Sequence, residues 1–408
     1  MSGLVIVGGS YAGVQAATTA RELGYADAIT MISDEDVLPY QRPPLSKSFL
    51  TGEMDEARLI LRGEKYFAAR HIDLRLKRRA VEIDKVGRKV LLDDGTALAC
   101  DHVLIATGSR ARALPVVEPD AAVLYLRSLA DARELKQRLI GCSEFIVIGG
   151  GFIGLEAAAS ARKLGKKVTV IESLPRLIQR ALSATVSDFL LKTHRAHGVD
   201  VRLGTAVNKV VRNGAMTEVQ CTDANITGDL VLIGIGGVPN AELAEGAGIA
   251  CDNGIIVDEV GRSGLPFLLA AGDCAAFEAP FASRRLRLES VQHAQDQAKA
   301  VGAFVAGQHH PYNSVPRFWS DQYEFKLQMV GFAEGDVTPA IRGSLEEGKF
   351  SVFLYRDGKL IAVDSVNRPA DQLIARALIA AGVSPSPAQA ADLSFDLKTL
   401  VPHMPPSQ

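Results

Sequence analysis

A glycine turn joining an apolar strand to a helix limits the fold of this chain more than any other feature, and it occurs twice. Leu4-Val5-Ile6-Val7 runs into Gly8-Gly9-Ser10-Tyr11-Ala12-Gly13. A helical pattern follows from Val14 to Leu23, then a strand from Ala28 to Ile32. Later, Glu144-Phe145-Ile146-Val147-Ile148 runs into Gly149-Gly150-Gly151-Phe152-Ile153-Gly154. A helix from Leu155 to Leu164 and a strand from Lys167 to Ile171 complete the second copy. Each is a β-α-β unit, and two of them predict an α/β chain with two doubly wound, Rossmann-like parallel sheets.

Other buried strands end in glycine turns. His102 to Ala106 meets Thr107-Gly108, the strand from Asp229 ends at Gly236, and Phe267 to Ala271 meets Gly272-Asp273. From Trp319 onward the pattern changes to alternation, with Phe350 to Tyr355 and Leu360 to Ser365 separated by Asp357-Gly358. That spacing predicts an antiparallel hairpin in a C-terminal α+β region. Pro385, Pro387, Pro402, Pro405 and Pro406 predict loops in the tail.

The second turn carries a complete fingerprint for a dinucleotide. Gly149 makes the tight turn, Gly151 lets the backbone approach a pyrophosphate, and Gly154 lets helix and strand pack closely. The pyrophosphate then lies on the helix N-terminus, where free N–H groups and the dipole favour negative charge. Glu172 closes the next strand. A carboxylate there binds both hydroxyls of a ribose and repels a 2′-phosphate, which selects NADH. Arg176 and Arg180 stand just beyond and leave NADPH open.

The first turn reads Gly8-x-Ser10-x-x-Gly13, with a serine at the middle position. Its hydroxyl either donates to the phosphate or displaces the cofactor slightly. Asp34, Glu35 and Asp36 follow the second strand as candidate ribose acceptors. Thr107-Gly108 and Gly272-Asp273 lie at strand ends, where ligands of such sheets gather, and Asp273 suits a ribityl hydroxyl of FAD.

The sequence resembles the NADH-dependent ferredoxin reductases of bacterial monooxygenase and ring-hydroxylating dioxygenase systems. These are members of the FAD-dependent pyridine nucleotide-disulfide oxidoreductase superfamily, with the glutathione-reductase fold. The resemblance covers nearly the whole chain and rests on several runs. They are Leu38 to Lys47 (LPYQRPPLSK), Val147 to Glu156 (VIGGGFIGLE), Ala271-Gly272-Asp273-Cys274, Glu289 to Gln292 and Phe318 to Gln322 (FWSDQ).

The resemblance implies FAD contacts at Gly13, Asp36, Arg42, Lys47, Val81, Arg127, Asp273 and Val291, with Val81 offering backbone groups to the adenine. It also implies that Lys47 and Glu156 pair beside the flavin as the catalytic residues. An ammonium near the flavin N5 raises electron affinity, and a carboxylate holds that ammonium in place. The implied domain order is an FAD domain over 1–112, an inserted NAD domain over 113–240, the rest of the FAD domain over 241–317, a C-terminal domain over 318–400 and a tail over 401–408. Gly8, Ser10, Thr107, Gly108 and Gly236 complete the cofactor-binding set. Trp319 is read either as a flavin-edge residue facing the partner or as packing.

The five cysteines are scattered and residues 40–50 contain none, so no thiol stands where disulfide reductases of this fold carry one. Electrons therefore pass from the flavin directly to an outside carrier. The expected carrier is a small acidic [2Fe–2S] ferredoxin, docking on Arg284, Arg285 and Arg287, or on Arg75, Lys77, Arg78 and Arg79. A rubredoxin, a quinone, a small radical acceptor or an NADH-sensing role are the alternatives.

A net charge of −2 gives no global field for nucleic acid or anionic membrane. No run of apolar residues is long enough to span a bilayer, and the chain reads as a cytoplasmic monomer or homodimer. His194 and His197 share a helix face without a third ligand, and no metal site is expected.

Overall fold

The computed structural model describes residues 2–282 and 284–402. The chain divides into two compact units, each discontinuous in sequence.

The first unit comprises 2–41, 56–110 and 237–314. Its centre is a five-stranded parallel sheet in the order Leu268–Ala270, His102–Ile105, Gly3–Val7, Ala28–Ile32, Ile72–Arg75. All five residues of Gly3–Val7 are buried, as expected for a strand covered on both faces. The helices Tyr11–Glu22 and Val291–Val305 pack together on one side, with Ala16, Ala17, Ala20 and Ala298 in the shared core. Small residues allow this close approach. A Cβ at Gly302 would lie 2.7 Å from the Ala16 carbonyl oxygen. Burying Leu4, Ile6, Ile29, Met31 and Leu104 contributes about 1.5–3 kcal/mol per side chain.

The second unit comprises 42–55, 111–236 and 315–402. Its parallel sheet runs Val199–Arg202, Lys167–Ile171, Glu144–Ile148, Leu230–Ile233, Val123–Leu124. The same unit holds a five-stranded antiparallel sheet in the order Arg317–Gln322, Phe325–Gly331, Lys359–Val366, Lys349–Arg356, Thr338–Ser344. The helix Pro369–Ala380 covers one face, burying Val330, Phe353, Val363, Ala375 and Leu378. Asp357 and Gly358 form the two-residue hairpin turn, with φ of 49° and 73°. Both values are positive, as a type I′ turn requires.

The expected α/β class, with two doubly wound sheets and an antiparallel C-terminal sheet, is what the structure contains. One local expectation is corrected. Pro387 opens a short helix, Pro387–Ala391, because Ser386 and Gln389 form a capping box and proline is tolerated at the first helical position. Pro405 and Pro406 lie outside the described residues.

Candidate functional site

The two glycine turns repeat each other closely. Gly8 and Gly149 have φ of 125° and 110°, and a Cβ at either would overlap a carbonyl oxygen, of Ala106 and Gly234 respectively. A Cβ at Gly13 would overlap the Gly8 oxygen, and one at Gly154 the Gly149 oxygen. The middle position differs. A Cβ at Gly151 meets only Gly234 O at 3.8 Å, an ordinary contact. The fold therefore needs the first and third glycines but not the second, and Ser10 stands in the first turn at no steric cost. Ser10 is the N-cap of its helix, yet its side chain makes no capping bond.

Both turns end at an unusual helix N-terminus. Among the described α-helices, only Tyr11–Glu22 and Phe152–Lys163 have neither a capping side chain nor an acid in the first turn. Their amide groups and positive dipole ends suit an anion such as a pyrophosphate.

The position after the second strand also differs between the copies. Glu172 in the second unit accepts from the Gly150 N–H at 2.7 Å and the Leu174 N–H at 2.8 Å. The Ser173 hydroxyl also donates to Oε1, at 3.3 Å, and Oε2 keeps a further lone-pair site for a ribose hydroxyl. Arg176 donates to Ser187 Oγ at 3.3 Å, and Arg180 is exposed. The residue at the corresponding place in the first unit is Ser33, which is buried. The three acids beyond it have partners: Asp34 with Arg79 at 3.0 Å, Glu35 with the Tyr40 hydroxyl at 2.6 Å, and Asp36 with Lys77 at 3.7 Å.

Other candidates in the first unit cluster at strand ends. Thr107 Oγ donates to Asn240 O at 2.7 Å, and the Asn240 N–H donates to Gly108 O at 2.9 Å. Asp273 accepts from Ser109 Oγ at 3.3 Å. The adjacent Gly272, φ 83°, leaves room for Ala12 and Ala294 to approach, which brings the Tyr11–Glu22 and Val291–Val305 helices to this turn. Val291 is the first residue of the latter helix. Val81 lies at a register shift between Ala80 and Glu82, outside the ladder pairing and 53% exposed. Its backbone groups are thus open to a ligand edge.

The second unit brings Lys47 and Glu156 together, with Nζ 2.8 Å from Oε2. Pro43 and Pro44 start a short 3-10 turn, Pro43–Ser46, that delivers Lys47 to the Phe152–Lys163 helix. Ser46 ties the turn down twice. Its hydroxyl donates to Glu156 Oε2 at 2.5 Å, and its carbonyl accepts from Ser160 Oγ at 2.7 Å. The second Glu156 oxygen accepts from Ser320 Oγ at 2.6 Å. Glu156 is only 5% exposed, so these donors replace its water. Arg42 Nη1 donates to Arg127 O at 2.9 Å, joining those two candidates. Gly236, φ 112°, has open space where a Cβ would be. Trp319 is 36% exposed beside Phe318, which packs on Phe152 at 4.5 Å between ring centroids.

The comparisons with known proteins agree with this geometry. A model of the family described as pyridine nucleotide-disulphide oxidoreductase matches residues 2–298, and one described as reductase C-terminal matches 317–401. The chain belongs to the pyridine nucleotide-disulphide oxidoreductases. Rhodocoxin reductase of Rhodococcus erythropolis is 43% identical over 401 residues, covering 98% of this chain and 94% of that protein. A crystal structure of the ferredoxin reductase for the CYP199A2 system from Rhodopseudomonas palustris has 42% identity and a TM-score of 0.96, covering 98% of this chain and 100% of its own. A structure of the covalent putidaredoxin reductase–putidaredoxin complex matches with 38% identity and a TM-score of 0.94, covering 98% of both chains.

The cofactors of this pyridine nucleotide-disulphide oxidoreductase are FAD and a pyridine nucleotide. The uncapped helix ends of both turns and the open middle position of the second fit the two dinucleotides. The disulphide chemistry in the family's description has no counterpart in its thiols. All five cysteines are free, and burial raises every thiol pKa, to about 11 for Cys100, Cys142 and Cys251. A thiol so raised is not a ready nucleophile. Among the described residues, no group of three His, Cys, Asp or Glu could hold a metal, and no helix is long and apolar enough to cross a membrane.

Sequence reasoning missed Ser46 and Ser320 as partners of Glu156, and weighed His194 only as a metal ligand, a role it set aside for want of a third ligand. His194 instead meets Gln322 at 2.9 Å. The overlooked signal is Ser320 and Gln322 sharing one face of a strand while Trp319 and Asp321 face out. The two basic runs named as docking candidates are largely ion-paired locally. Arg75 meets Asp73, Arg78 meets Asp94, Arg285 meets Glu278 and Arg287 meets Glu289.

Proposed function

We propose that this chain is an FAD-containing, NADH-dependent reductase of a small [2Fe–2S] ferredoxin that serves a bacterial oxygenase. The observation that carries the reading is the ion pair between half-buried Lys47 and buried Glu156 on the glycine-turn helix of the second unit, in a protein whose thiol pKa values are all raised by burial. The reaction needs a place to hold two rings in register and an electron exit that uses no disulfide.

Bound FAD would supply a hydride acceptor for the nicotinamide and a one-electron donor for the outside carrier. The chain's own residues bind and orient. The Gly8–Gly13 turn and its helix end hold the FAD pyrophosphate, with Asp36, Arg42, Val81, Thr107, Gly108, Arg127, Asp273 and Val291 along the rest of the cofactor. The Gly149–Gly154 turn holds that of NADH, and Glu172 takes its ribose hydroxyls. Lys47 sets a positive charge at the reacting rings, and Glu156 keeps that ammonium aimed. No side chain is needed as nucleophile or general base. The solved complex between a relative and its putidaredoxin supports a protein acceptor, and we extend that to an acidic ferredoxin.

The test is acceptor competition. Anaerobic enzyme reduced by NADH is mixed with a [2Fe–2S] ferredoxin, a rubredoxin and a quinone in turn. The ferredoxin is expected to react fastest, more slowly as salt is raised. Preference for rubredoxin or quinone contradicts the assignment.

A further inference from the structure

A single file of buried polar groups leads away from Glu156 within the second unit. Ser320 Oγ lies 2.6 Å from Glu156 Oε1, Gln322 Nε2 lies 3.1 Å from Ser320 Oγ, and His194 Nε2 lies 2.9 Å from Gln322 Oε1. The Tyr323 hydroxyl then lies 3.2 Å from His194 Nδ1. Ser320, Gln322 and His194 are 0%, 2% and 0% exposed, so water does not compete for these bonds.

The charge at one end fixes the direction of the whole file. A carboxylate only accepts, so Ser320 must spend its one proton on Glu156. Ser320 can then only accept from Gln322, which forces the amide nitrogen toward it and the amide oxygen toward His194. His194 must carry its proton on Nε2 to meet that oxygen, and its Nδ1 is left to accept from Tyr323. Turning the Gln322 amide over would set two acceptors against one hydroxyl proton in a dry site. Burial also holds the ring neutral, with the His194 pKa lowered to about 4.

The far end is held at a cost. Tyr323 has φ 55°, the left-handed region that bulky side chains avoid, in the two-residue turn between Arg317–Gln322 and Phe325–Gly331. Its ring stacks on His197 at 3.7 Å between centroids while its hydroxyl reaches His194.

We propose that Tyr323, His194, Gln322 and Ser320 form a one-way hydrogen-bond chain that fixes the Glu156 carboxylate, and through it Lys47, so that Gln322 and His194 are positioning residues for hydride transfer. This rests on the reading of Lys47–Glu156 given above. The chain acts by position and does not carry protons, because an amide in the middle passes none on without changing its tautomer.

Two measurements on the FAD-loaded protein test this. In stopped-flow reduction by NADH, Ser320→Ala and Gln322→Leu each lower the limiting rate of flavin bleaching about tenfold while half-saturation by NADH shifts less than about twofold. The double variant is no slower than Ser320→Ala alone, since both act through one hydroxyl. FAD content and melting temperature confirm that each variant is folded. In the oxidised wild-type protein, with no NADH present, 15N NMR of the His194 ring shows the neutral Nε2–H form. Glu156→Gln, which lets the file reverse, mixes the two tautomers. An Nδ1–H ring in the wild type overturns the proposal, as do unchanged limiting rates in both single variants where Glu156→Gln slows reduction. If Glu156→Gln itself leaves reduction unchanged, the reading of the Lys47–Glu156 pair fails, and the proposal with it.

Discussion

The two glycine turns share one scaffold and differ where a ligand is met. The likeness extends well past the glycines. Arg21 Nε donates to Arg70 O in the first unit, and Arg162 Nε to His197 O in the second. Asp73 pairs with Arg75 at 2.8 Å, and Asp200 with Arg202 at 2.9 Å, at the same place on the edge strands Ile72–Arg75 and Val199–Arg202. Against this background three differences fall at the turn, the strand end and the first helical turns: Ser10 for Gly151, Ser33 for Glu172, and Gln15 for Glu156. Gln15 makes only a local bond, Nε2 to Thr19 Oγ at 3.1 Å. Glu156, one turn into its own helix, gathers Ser46, Lys47 and Ser320. The glycines that the backbone demands are the same in both copies, and the three positions named differ.

The comparison can be broken at several points. The largest effect is expected where backbone sterics rule. Gly13→Ala and Gly154→Ala should each cost about 1–3 kcal/mol, read by denaturant unfolding of the purified variants. If either is neutral, the steric argument for the third glycine is wrong. Glu156→Gln should slow flavin reduction about tenfold to a hundredfold in stopped-flow, while Gln15→Leu changes it less than about twofold. Equal effects would show that the two helices do not divide the work as described.

Smaller effects sharpen the picture. Gly151→Ser gives the second turn the first turn's residue. It should weaken NADH binding about tenfold in equilibrium titration and leave the melting temperature unchanged. A fall in melting temperature like that of Gly154→Ala would mean that the middle glycine serves the fold after all. Glu172→Gln should lower the preference for NADH over NADPH about threefold to tenfold in steady-state kinetics, and an unchanged ratio removes Glu172 from ribose recognition.

Among the described residues each unit also carries one buried histidine, and these should behave alike. Burial lowers both His293 and His194 to about 4. The folded form resists a proton that the unfolded chain accepts near 6.5, so stability is present above that pH and is lost as pH falls toward 4. His194→Gln should flatten the acid side of the second unit's stability profile, followed by hydrogen exchange. A profile as steep as the wild type's would assign the acid sensitivity elsewhere.

Much of the fold was legible in the sequence because glycine turns punctuate it. Ala28–Ile32 and Lys167–Ile171 fall where the apolar runs put them. The hairpin at Asp357-Gly358 was legible for the same reason, since the residues that set its turn lie between alternating strands. The chain around Glu156 was not legible. Ser46, Ser320, Gln322 and His194 come from three separate stretches, and only packing brings them together. Two polar residues on one face of a six-residue strand look no different from an ordinary half-exposed strand until its neighbours are known. The acids after the second strand of the first unit stand one to three positions further along than Glu172 does in its own copy. Proximity in sequence drew attention to Asp34, Glu35 and Asp36, whereas the place that matches Glu172 holds Ser33.

The most direct test of the central claim is an anaerobic titration of the purified flavoprotein with NADH, followed by addition of oxidised [2Fe–2S] ferredoxin. The account predicts that NADH bleaches the flavin absorbance and that ferredoxin restores it, with two equivalents of ferredoxin reduced for each NADH consumed. A flavin that NADH does not bleach, or one that stays bleached when ferredoxin is added, would contradict it.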